Sequence, residues 1–306
     1  MKKLSGGVLD KLWEGGGFVL SRATLPDEPT PALVLAPASE RPGAGVIARL
    51  EHAFALREEL DPSGVARPLR LVQYRGLPAL LLEDPGGNLL ANLPGQPWDL
   101  PRFLRVAIEI AVALSRLHAR GLIHRDLNPA NILVNPVTGQ AWLIGTWFVS
   151  ALPRGRIAVP PVEIVGALAY MAPEQTGRMN RSIDSLSDLY SFGVTLYEML
   201  TGTLPFTATD SMEWVHCHIA RQPIPPGERL EGTSEQISAI IMKLLSKTAE
   251  ERYQTAAGVE ADLRICHAAL DRLSRIVVHM ANLSLEHGYS DGSCYAFALL
   301  GSILGS

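Results

Sequence analysis

The alternation of apolar and polar residues divides the chain into a strand-rich first part and a helix-rich second part. In the first part, short aliphatic and β-branched runs are separated by Gly and Pro clusters, which is typical of strands joined by turns. The predicted strands are residues 18–22, 32–35, 69–74 and 79–82. One helix is predicted among them, at residues 49–60, with Leu50, Phe54 and Leu60 among its apolar positions.

From Asp99 onwards the apolar spacing becomes helical. Asp99 is a predicted N-cap, Pro101 falls in the first turn, and apolar residues recur at helical spacing until Gly121. Two short strands are predicted at residues 132–134 and 142–144, and further helices at residues 188–200, 211–220, 234–245 and 255–270. A small β-rich part before a larger helical part predicts an α+β fold.

Composition narrows the class of protein. The 306 residues suffice for one large or two medium domains, and a net charge of −4 predicts no nucleic-acid partner. Cys217, Cys266 and Cys294 are odd in number and far apart, which predicts reduced thiols in a cytoplasmic protein. The longest apolar run, residues 294–304, is shorter than the roughly 20 residues that span a bilayer, so no membrane span is expected.

The most informative motif is H-R-D-L-N-P-A-N at residues 124–131. It resembles the catalytic loop of protein kinases, H-R-D-L-x-x-x-N. The resemblance implies that Asp126 is the catalytic base, that Asn131 is a catalytic residue and metal ligand, and that Arg125 belongs to the same catalytic set. It gives His124 a structural role in the loop.

Three further motifs extend the resemblance over residues 10–270. They are A-P-E-Q-T-G-R-M-N-R-S-I-D at 172–184, S-D-L-Y-S-F-G-V at 187–194 and E-W-V-H-C-H-I-A at 213–220. The chain resembles serine/threonine protein kinase domains, in particular those that precede an ATPase module and a sensor histidine kinase in large bacterial signalling proteins. This implies a bilobal kinase-like fold with an N-lobe at 10–88, a C-lobe at 89–270 and other signalling domains as partners.

The resemblance also assigns structural roles in the C-lobe. Glu174 and Arg252 have the spacing of an internal ion pair, and Asp188 is placed to accept backbone N–H groups of the catalytic loop. Residues 271–306 form a predicted helical tail that resembles a downstream segment of the same long proteins. The alternative is a helix pair packed on the C-lobe. The apolar residues 294–304 also raise the possibility of an oligomer through this tail.

ATP and Mg²⁺ are the cofactors that the resemblance implies, but key ligands are missing. Gly145 stands where the metal-binding Asp belongs, Ala36 where the phosphate-binding lysine belongs, and Ala53 where its glutamate partner belongs. The sequence has no lysine between Lys11 and Lys243.

The rest of the nucleotide-binding site also departs from the kinase pattern. Gly15 and Gly17 match the first two glycines of G-x-G-x-x-G, but Leu20 stands at the third. Glu83 lies in the hinge that would bind adenine, close to Pro85, which has no N–H to donate.

The substrate side has also lost groups. Asn128 replaces the usual lysine two residues after Asp126, and Ala167 replaces a hydroxyl residue that would contact this Asp. No Ser, Thr or Tyr lies between Ser150 and Tyr170, so no phosphorylation site can switch this segment.

These departures favour a pseudokinase that acts as a regulatory or docking module. An active serine/threonine kinase that uses Asp126 and Asn131 is the main alternative. In it, an Arg or a partner chain would replace the lysine, and Arg22 is the nearest Arg candidate on sequence. A purely structural assembly role is a third hypothesis.

Overall fold

The computed structural model describes residues 2–4, 8–24, 30–93, 97–151 and 167–287. The strands are β1 (Lys2–Lys3), β2 (Val8–Gly15), β3 (Phe18–Thr24), β4 (Ala32–Pro37), β5 (Pro68–Tyr74), β6 (Leu77–Glu83), β7 (Asn88–Leu89), β8 (Leu122–Ile123), β9 (Ile132–Val134), β10 (Ala141–Leu143) and β11 (Ser150–Ala151). The α-helices are α1 (Ala44–Ala55), α2 (Leu100–Ala119), α3 (Ser185–Thr201), α4 (Ser211–Ile219), α5 (Pro226–Arg229), α6 (Glu235–Leu244) and α7 (Ala256–His287). The fold is the expected bilobal α+β arrangement.

The small lobe is a six-stranded sheet in the order β1-β5-β6-β4-β3-β2, with α1 on one face. All neighbouring strands are antiparallel except the pair β1 and β5. Side chains on the two faces of the sheet belong to two separate apolar clusters. The sheet is therefore apolar on both faces, and the inner face lies against the large lobe.

Three elements of the small lobe differ from the prediction, and the first is the two-residue strand β1, which was not predicted. Strand β2 was not predicted, although its residues precede the glycine turn and pair with β3 along most of its length. Helix α1 begins five residues before the predicted start because Pro42 and Gly43 end the preceding loop, and Gly43 is its N-cap. It ends at Ala55, where residues 56–58 tighten into a 3₁₀ turn that keeps Leu56 buried.

The helices of the large lobe begin and end at the residues that physical chemistry favours. The Asp99 carboxylate accepts a hydrogen bond from the Arg102 N–H at 2.8 Å, as an N-cap does, and α2 starts at the next residue. Helix α3 ends at Gly202, whose φ of 72° is the left-handed conformation that glycine adopts most readily.

Helix α7 is longer than predicted. It runs past residue 270 without a break and ends at His287, and its first half packs along α2. The division at residues 270/271 stays a prediction, and the apolar run 294–304 lies outside the described residues. None of the helices in the described ranges is long and apolar enough to cross a membrane.

A buried ion pair fixes the base of the large lobe. Arg252 donates to both carboxylate oxygens of Glu174, Nη1 to Oε1 at 2.7 Å and Nη2 to Oε2 at 3.0 Å. Ser187 also donates to Glu174, and Arg252 donates to the Leu186 and Ser246 carbonyls. Burial alone would raise the pKa of Glu174, but the hydrogen bonds and charge of Arg252 outweigh it and lower the pKa.

We expect Arg252→Met to destabilise the protein by about 3–5 kcal/mol, because it leaves the Glu174 carboxylate buried without its cation. Urea denaturation followed by tryptophan fluorescence measures this loss. Arg264→Met is the matched control, since Arg264 pairs with Glu260 on the exposed surface of α7 and should cost at most about 0.5 kcal/mol. Equal losses in the two variants would contradict the role of the buried pair.

Candidate active site

The catalytic-loop motif is shaped by one buried carboxylate. Asp188 Oδ2 accepts the His124 N–H at 2.7 Å, and Oδ1 accepts the Arg125 N–H at 2.8 Å. His118 Nε2 of α2 lies 2.9 Å from Asp188 Oδ2. Burial opposes ionisation of Asp188, but its hydrogen bond with His118 and its electrostatic interactions with His118 and His124 outweigh burial and lower the pKa of this carboxyl.

Further contacts fix the backbone of Arg125 and the side chain of His124. Arg125 adopts φ of 68°, a conformation uncommon for residues other than glycine, and its carbonyl accepts from Gln175 Nε2 at 2.7 Å. The buried His124 ring reaches the Ile144 carbonyl at 2.6 Å through Nε2. The loop is thereby tied to the residue just before Gly145.

Asp126 lies at the centre of a hydrogen-bond network within the loop. Its carboxylate accepts from Asn128 Nδ2 at 3.0 Å, from Asn131 Nδ2 at 2.8 Å and from the Ala167 N–H at 3.2 Å. Burial raises the pKa of Asp126, against the charge of His124 and these donors. The carboxylate therefore already serves as an acceptor that holds Asn128, Asn131 and Ala167 in place.

Asn131 and Gly145 meet where the metal would be bound. The Asn131 amide donates to Asp126, and its Oδ1 is buried without a hydrogen-bond partner in the described part of the chain. Gly145 has φ of 87°, and a Cβ added there would lie 2.9 Å from Asn131 Cγ. An Asp at this position would be strained and would clash with Asn131.

The residues present do not fit Mg²⁺. This cation takes near-octahedral oxygen ligands, usually including one or two carboxylates. Gly145 supplies no ligand, and the nearby Asp126 carboxylate is engaged by three N–H donors. The oxygens that are left without a partner among the described residues, Asn131 Oδ1 and Thr146 Oγ1, are both neutral, so these residues lack the carboxylate that Mg²⁺ usually takes.

An indole lies beneath the glycine turn. Trp147 is only 2% exposed and packs on Phe18 and Trp13, with ring centroids 5.5 Å and 6.3 Å away. The Trp13 ring in turn lies against Gly15, where an added Cβ would come within 2.5 Å of it. Trp147, two residues after Gly145, therefore packs against residues of the two strands that the glycine turn connects.

The glycine turn itself is tight. Gly15 pairs with Phe18, so only Gly16 and Gly17 form the turn, with φ of 57° and 86°. A two-residue turn with two positive φ angles is the usual type I′ hairpin connection. Gly15 thus belongs to the strand pair, and Gly16 and Gly17 to the turn that connects β2 and β3. Whether this turn binds phosphate stays a prediction.

Ala36 does not lie where a phosphate-binding lysine would be needed, contrary to the prediction. A lysine that binds phosphates must face the cleft, but Ala36 belongs to the apolar cluster on the outer face of the sheet. Its neighbour Leu35 faces the cleft and shares a cluster with Leu50 and Ala53 of α1. An apolar contact between β4 and α1 stands where a lysine–glutamate pair would lie.

The hinge is also closed by side chains. Arg22 donates to the Asp84 carboxylate at 2.5 Å and 3.1 Å, and to the Gly87 carbonyl at 2.8 Å. The expectation that Arg22 replaces the phosphate-binding lysine is therefore wrong, because its guanidinium is bound at the opposite, hinge end of β3. The Glu83 N–H donates to the Arg67 carbonyl at 2.9 Å, and its side chain pairs with Arg67.

Comparison with known proteins agrees with this geometry. A family model described as the protein kinase domain matches residues 97–263, which is more than half of the chain. The chain belongs to the protein kinase domain family. The match covers the catalytic loop, the Asp126 network and both halves of the Glu174–Arg252 pair.

Several bacterial serine/threonine kinases are similar to this kinase domain. Serine/threonine-protein kinase PknB of Mycobacterium leprae is 33% identical over 194 residues, covering 63% of this chain and 31% of that protein. PknB of Mycobacterium tuberculosis strain H37Rv is 35% identical over 194 residues, with coverage of 62% and 30%. Serine/threonine-protein kinase Pkn1 of Myxococcus xanthus is 32% identical over 200 residues, with coverage of 64% and 29%.

The chain therefore spans about a third of the length of these relatives.

Motif reading found the catalytic loop of this kinase domain but missed what fills its cleft. Trp147 lies two residues after Gly145 and Trp13 two residues before Gly15, and neither belongs to a motif. The available signal was the aromatic content next to both elements, since Phe148 follows Trp147 and Phe18 follows the glycines. Spacing alone could not bring Trp13 and Trp147 together, because 133 residues of intervening chain have to fold first.

We expect Gly145→Ala to destabilise the kinase domain more than Gly121→Ala. Both glycines have positive φ, 87° and 72°, where a side chain costs about 1–2 kcal/mol. Only Gly145 would also drive its Cβ into another residue, Asn131, which adds roughly 1–3 kcal/mol, while Gly121 has open space. Free energies of unfolding from urea denaturation test this, and equal losses would mean that Asn131 moves aside freely.

Proposed function

We propose that this kinase domain is a pseudokinase that serves as a regulatory or docking module in bacterial signal transduction. The observation that carries the proposal is Trp147, two residues after Gly145, whose buried indole packs on Trp13 and Phe18 of the glycine hairpin. In kinases these two elements hold the phosphates and the metal. An indole in this space is incompatible with a bound triphosphate unless it moves out.

The charged groups that phosphoryl transfer needs at the phosphates and the metal are missing as well. Catalysis of this reaction depends almost entirely on positioning and electrostatic stabilisation of the phosphates. Leu35 and Gly145 provide neither a cation nor a metal ligand. Losing one such group costs about 10²–10³ in rate, and losing several costs more even where the effects are not additive.

The apolar cleft also opposes nucleotide entry. Leu20, Leu35 and Leu133 are 0% exposed and belong to one cluster that joins the two lobes through Trp147. Exposing a single buried side chain of this size costs about 1.5–3 kcal/mol, before any cost of separating the lobes. The closed cleft supports a role in which the domain keeps one shape without a ligand.

A weak serine/threonine kinase is the second candidate. Two observations favour it: Asn131 Oδ1 and Thr146 Oγ1 are buried oxygens without a partner among the described residues, and the pKa of Asp126 is raised by burial. Such an enzyme would use Asp126 as its base. A partner chain would have to supply the positive charge of the missing phosphate-binding lysine.

The cellular setting is part of the proposal. Its bacterial kinase relatives and the motif pattern at 172–184 and 213–220 support a cytoplasmic place among other signalling domains. Fusion to an ATPase module and a sensor histidine kinase in a longer protein, and an oligomer through residues 271–306, are hypotheses of the same kind.

We expect no change in melting temperature when the chain is heated with millimolar ATP and Mg²⁺ or Mn²⁺. A ligand at 100 times its Kd stabilises a protein by about 2.7 kcal/mol. At about 2–4 °C per kcal/mol for a domain of this size, that is a rise of roughly 5–11 °C. Trp147→Ala shows that the assay is sensitive, because losing a buried indole costs about 3–5 kcal/mol. A metal-dependent rise with ATP in the unmodified chain would overturn the proposal.

We also expect no transfer of radiolabelled γ-phosphate to a generic protein substrate above the level of the Asp126→Asn variant. Asp126→Ala should instead lower stability by about 1–3 kcal/mol, because it leaves three N–H donors without their acceptor. Transfer that disappears in Asp126→Asn would identify the weak kinase as the correct function.

A further inference from the structure

Helix α7 has two apolar faces, and the part of the chain that the structure describes covers one of them. Val259, Leu263, Cys266 and Val277 are buried, at 8% exposure or less, on the face turned to the large lobe. The second face carries Ile265, Ala269, Leu273 and Ile276, which we call the α7 stripe. It lies about 100° around the helix from the buried face.

The α7 stripe is exposed along its length. Ile265, Leu273 and Ile276 are 62%, 44% and 57% exposed, and Ala269 is exposed as well. Their spacing of four, four and three residues keeps them on one side of the helix over about three turns. A straight apolar stripe with this spacing is complementary to another helix that crosses at a small angle.

A cavity opens at the first end of the stripe. It has a volume of about 310 Å³ between α6 and α7, and Ile265, Cys266, Ile240 and Tyr253 form its apolar lining. The Tyr253 hydroxyl is satisfied by Asp262 at 2.6 Å, and Lys243 lies over the Tyr253 ring at 4.1 Å. The cavity is therefore suited to one large apolar side chain of a partner, the usual anchor of an interface.

The solvent side of the stripe is basic. Arg272 and Arg275 lie on the side of the α7 stripe that faces away from the large lobe, and Arg264 lies further round. Arg264 pairs with Glu260 of the same helix, and the nearby Asp271 pairs with His267. Among the described residues, Arg272 donates only to the Ala268 carbonyl, at 3.4 Å, and Arg275 has no ion pair. A partner that covers the stripe would thus meet the positive charges of Arg272 and Arg275 along one edge.

We propose that the α7 stripe and its cavity bind an amphipathic helix of another signalling protein or domain, with an apolar face and an acidic flank. Charge complementarity selects this partner. In an antiparallel pair of two α7 helices, the basic flank of one copy, with Arg272 and Arg275, would instead face the same basic flank of the other copy. The inference extends the proposed docking role, and it does not depend on whether the cleft binds nucleotide.

The test uses two synthetic 21-residue amphipathic helices with the same Leu and Trp face. One carries Glu and the other Lys along the flank, and both are labelled for fluorescence anisotropy against the full chain. We expect the Glu helix to bind at least about tenfold more tightly than the Lys helix. The double variant Arg272→Glu/Arg275→Glu should reverse this preference.

Two variants test the apolar contacts. Ile276→Asp interrupts the stripe and Ala239→Trp fills the cavity from an exposed position that lines it, so each should weaken the Glu helix by about tenfold or more. Val137→Asp is the matched control, because Val137 is an 81% exposed apolar residue far along the chain in the β9–β10 turn. It should leave binding unchanged, and circular dichroism checks that every variant is folded.

Several results would overturn the inference. They are equal binding of the two helices, no binding of either, or binding that Ile276→Asp and Ala239→Trp leave intact. A dimer in sedimentation that Ile276→Asp dissociates would assign the stripe to a second copy instead. Because nucleotide binding is measured separately, failure here would leave the argument about the cleft untouched.

Discussion

One buried carboxylate gives the catalytic loop its shape. Asp188 of α3 accepts the N–H groups of His124 and Arg125, and it also contacts His118 of α2. A carboxylate that accepts several hydrogen bonds inside a protein stabilises the backbone that donates them, provided that it stays ionised. Its lowered pKa keeps it ionised at neutral pH. None of these contacts involves a nucleotide, so the loop is formed whether or not the cleft is used.

The replacements in the cleft are consistent with one another. Removing one partner of a buried ion pair is costly, whereas replacing both by apolar groups is often neutral or stabilising. Leu35 and Ala53 follow this rule on the small-lobe side, and Trp147 extends the apolar cluster to the large lobe. At the hinge the opposite solution appears, because Arg22 and Asp84 form a pair of their own. The contacts that close the cleft therefore also stabilise the folded state. This supports a domain whose function depends on its folded shape.

The sequence predicted the parts of the fold that depend on local chemistry. The Asp99 cap, the Gly202 stop and the catalytic-loop motif are short-range signals, and the structure has them where expected. The predictions were wrong where the outcome depends on which face of a strand is turned to the cleft, or on contacts between distant parts of the chain. Ala36 was assigned to the cleft although the strand turns it outward, since a shift of one residue in a strand reverses its side chains.

Other features had no local signal at all. Trp147 meets Trp13 only after both lobes have formed, and Arg22 meets the hinge only across the sheet. The same limit applies to α7, whose sequence shows helical spacing but not which of its two apolar stripes is covered. That question is settled by α2, which lies against Val259 and Leu263 and leaves Ile276 exposed.

The packing of α7 on α2 raises the question of whether docking could change the catalytic loop. The two are physically connected, because α2 carries His118 and His118 contacts Asp188. Connection is not sufficient for coupling, which requires an element with two discrete arrangements that both sites bias. Helix α2 has ten buried side chains in a closely packed core, which holds it in one arrangement. We therefore expect a partner on the α7 stripe to act by being positioned beside the domain, while the loop around Asp126 keeps the same hydrogen bonds.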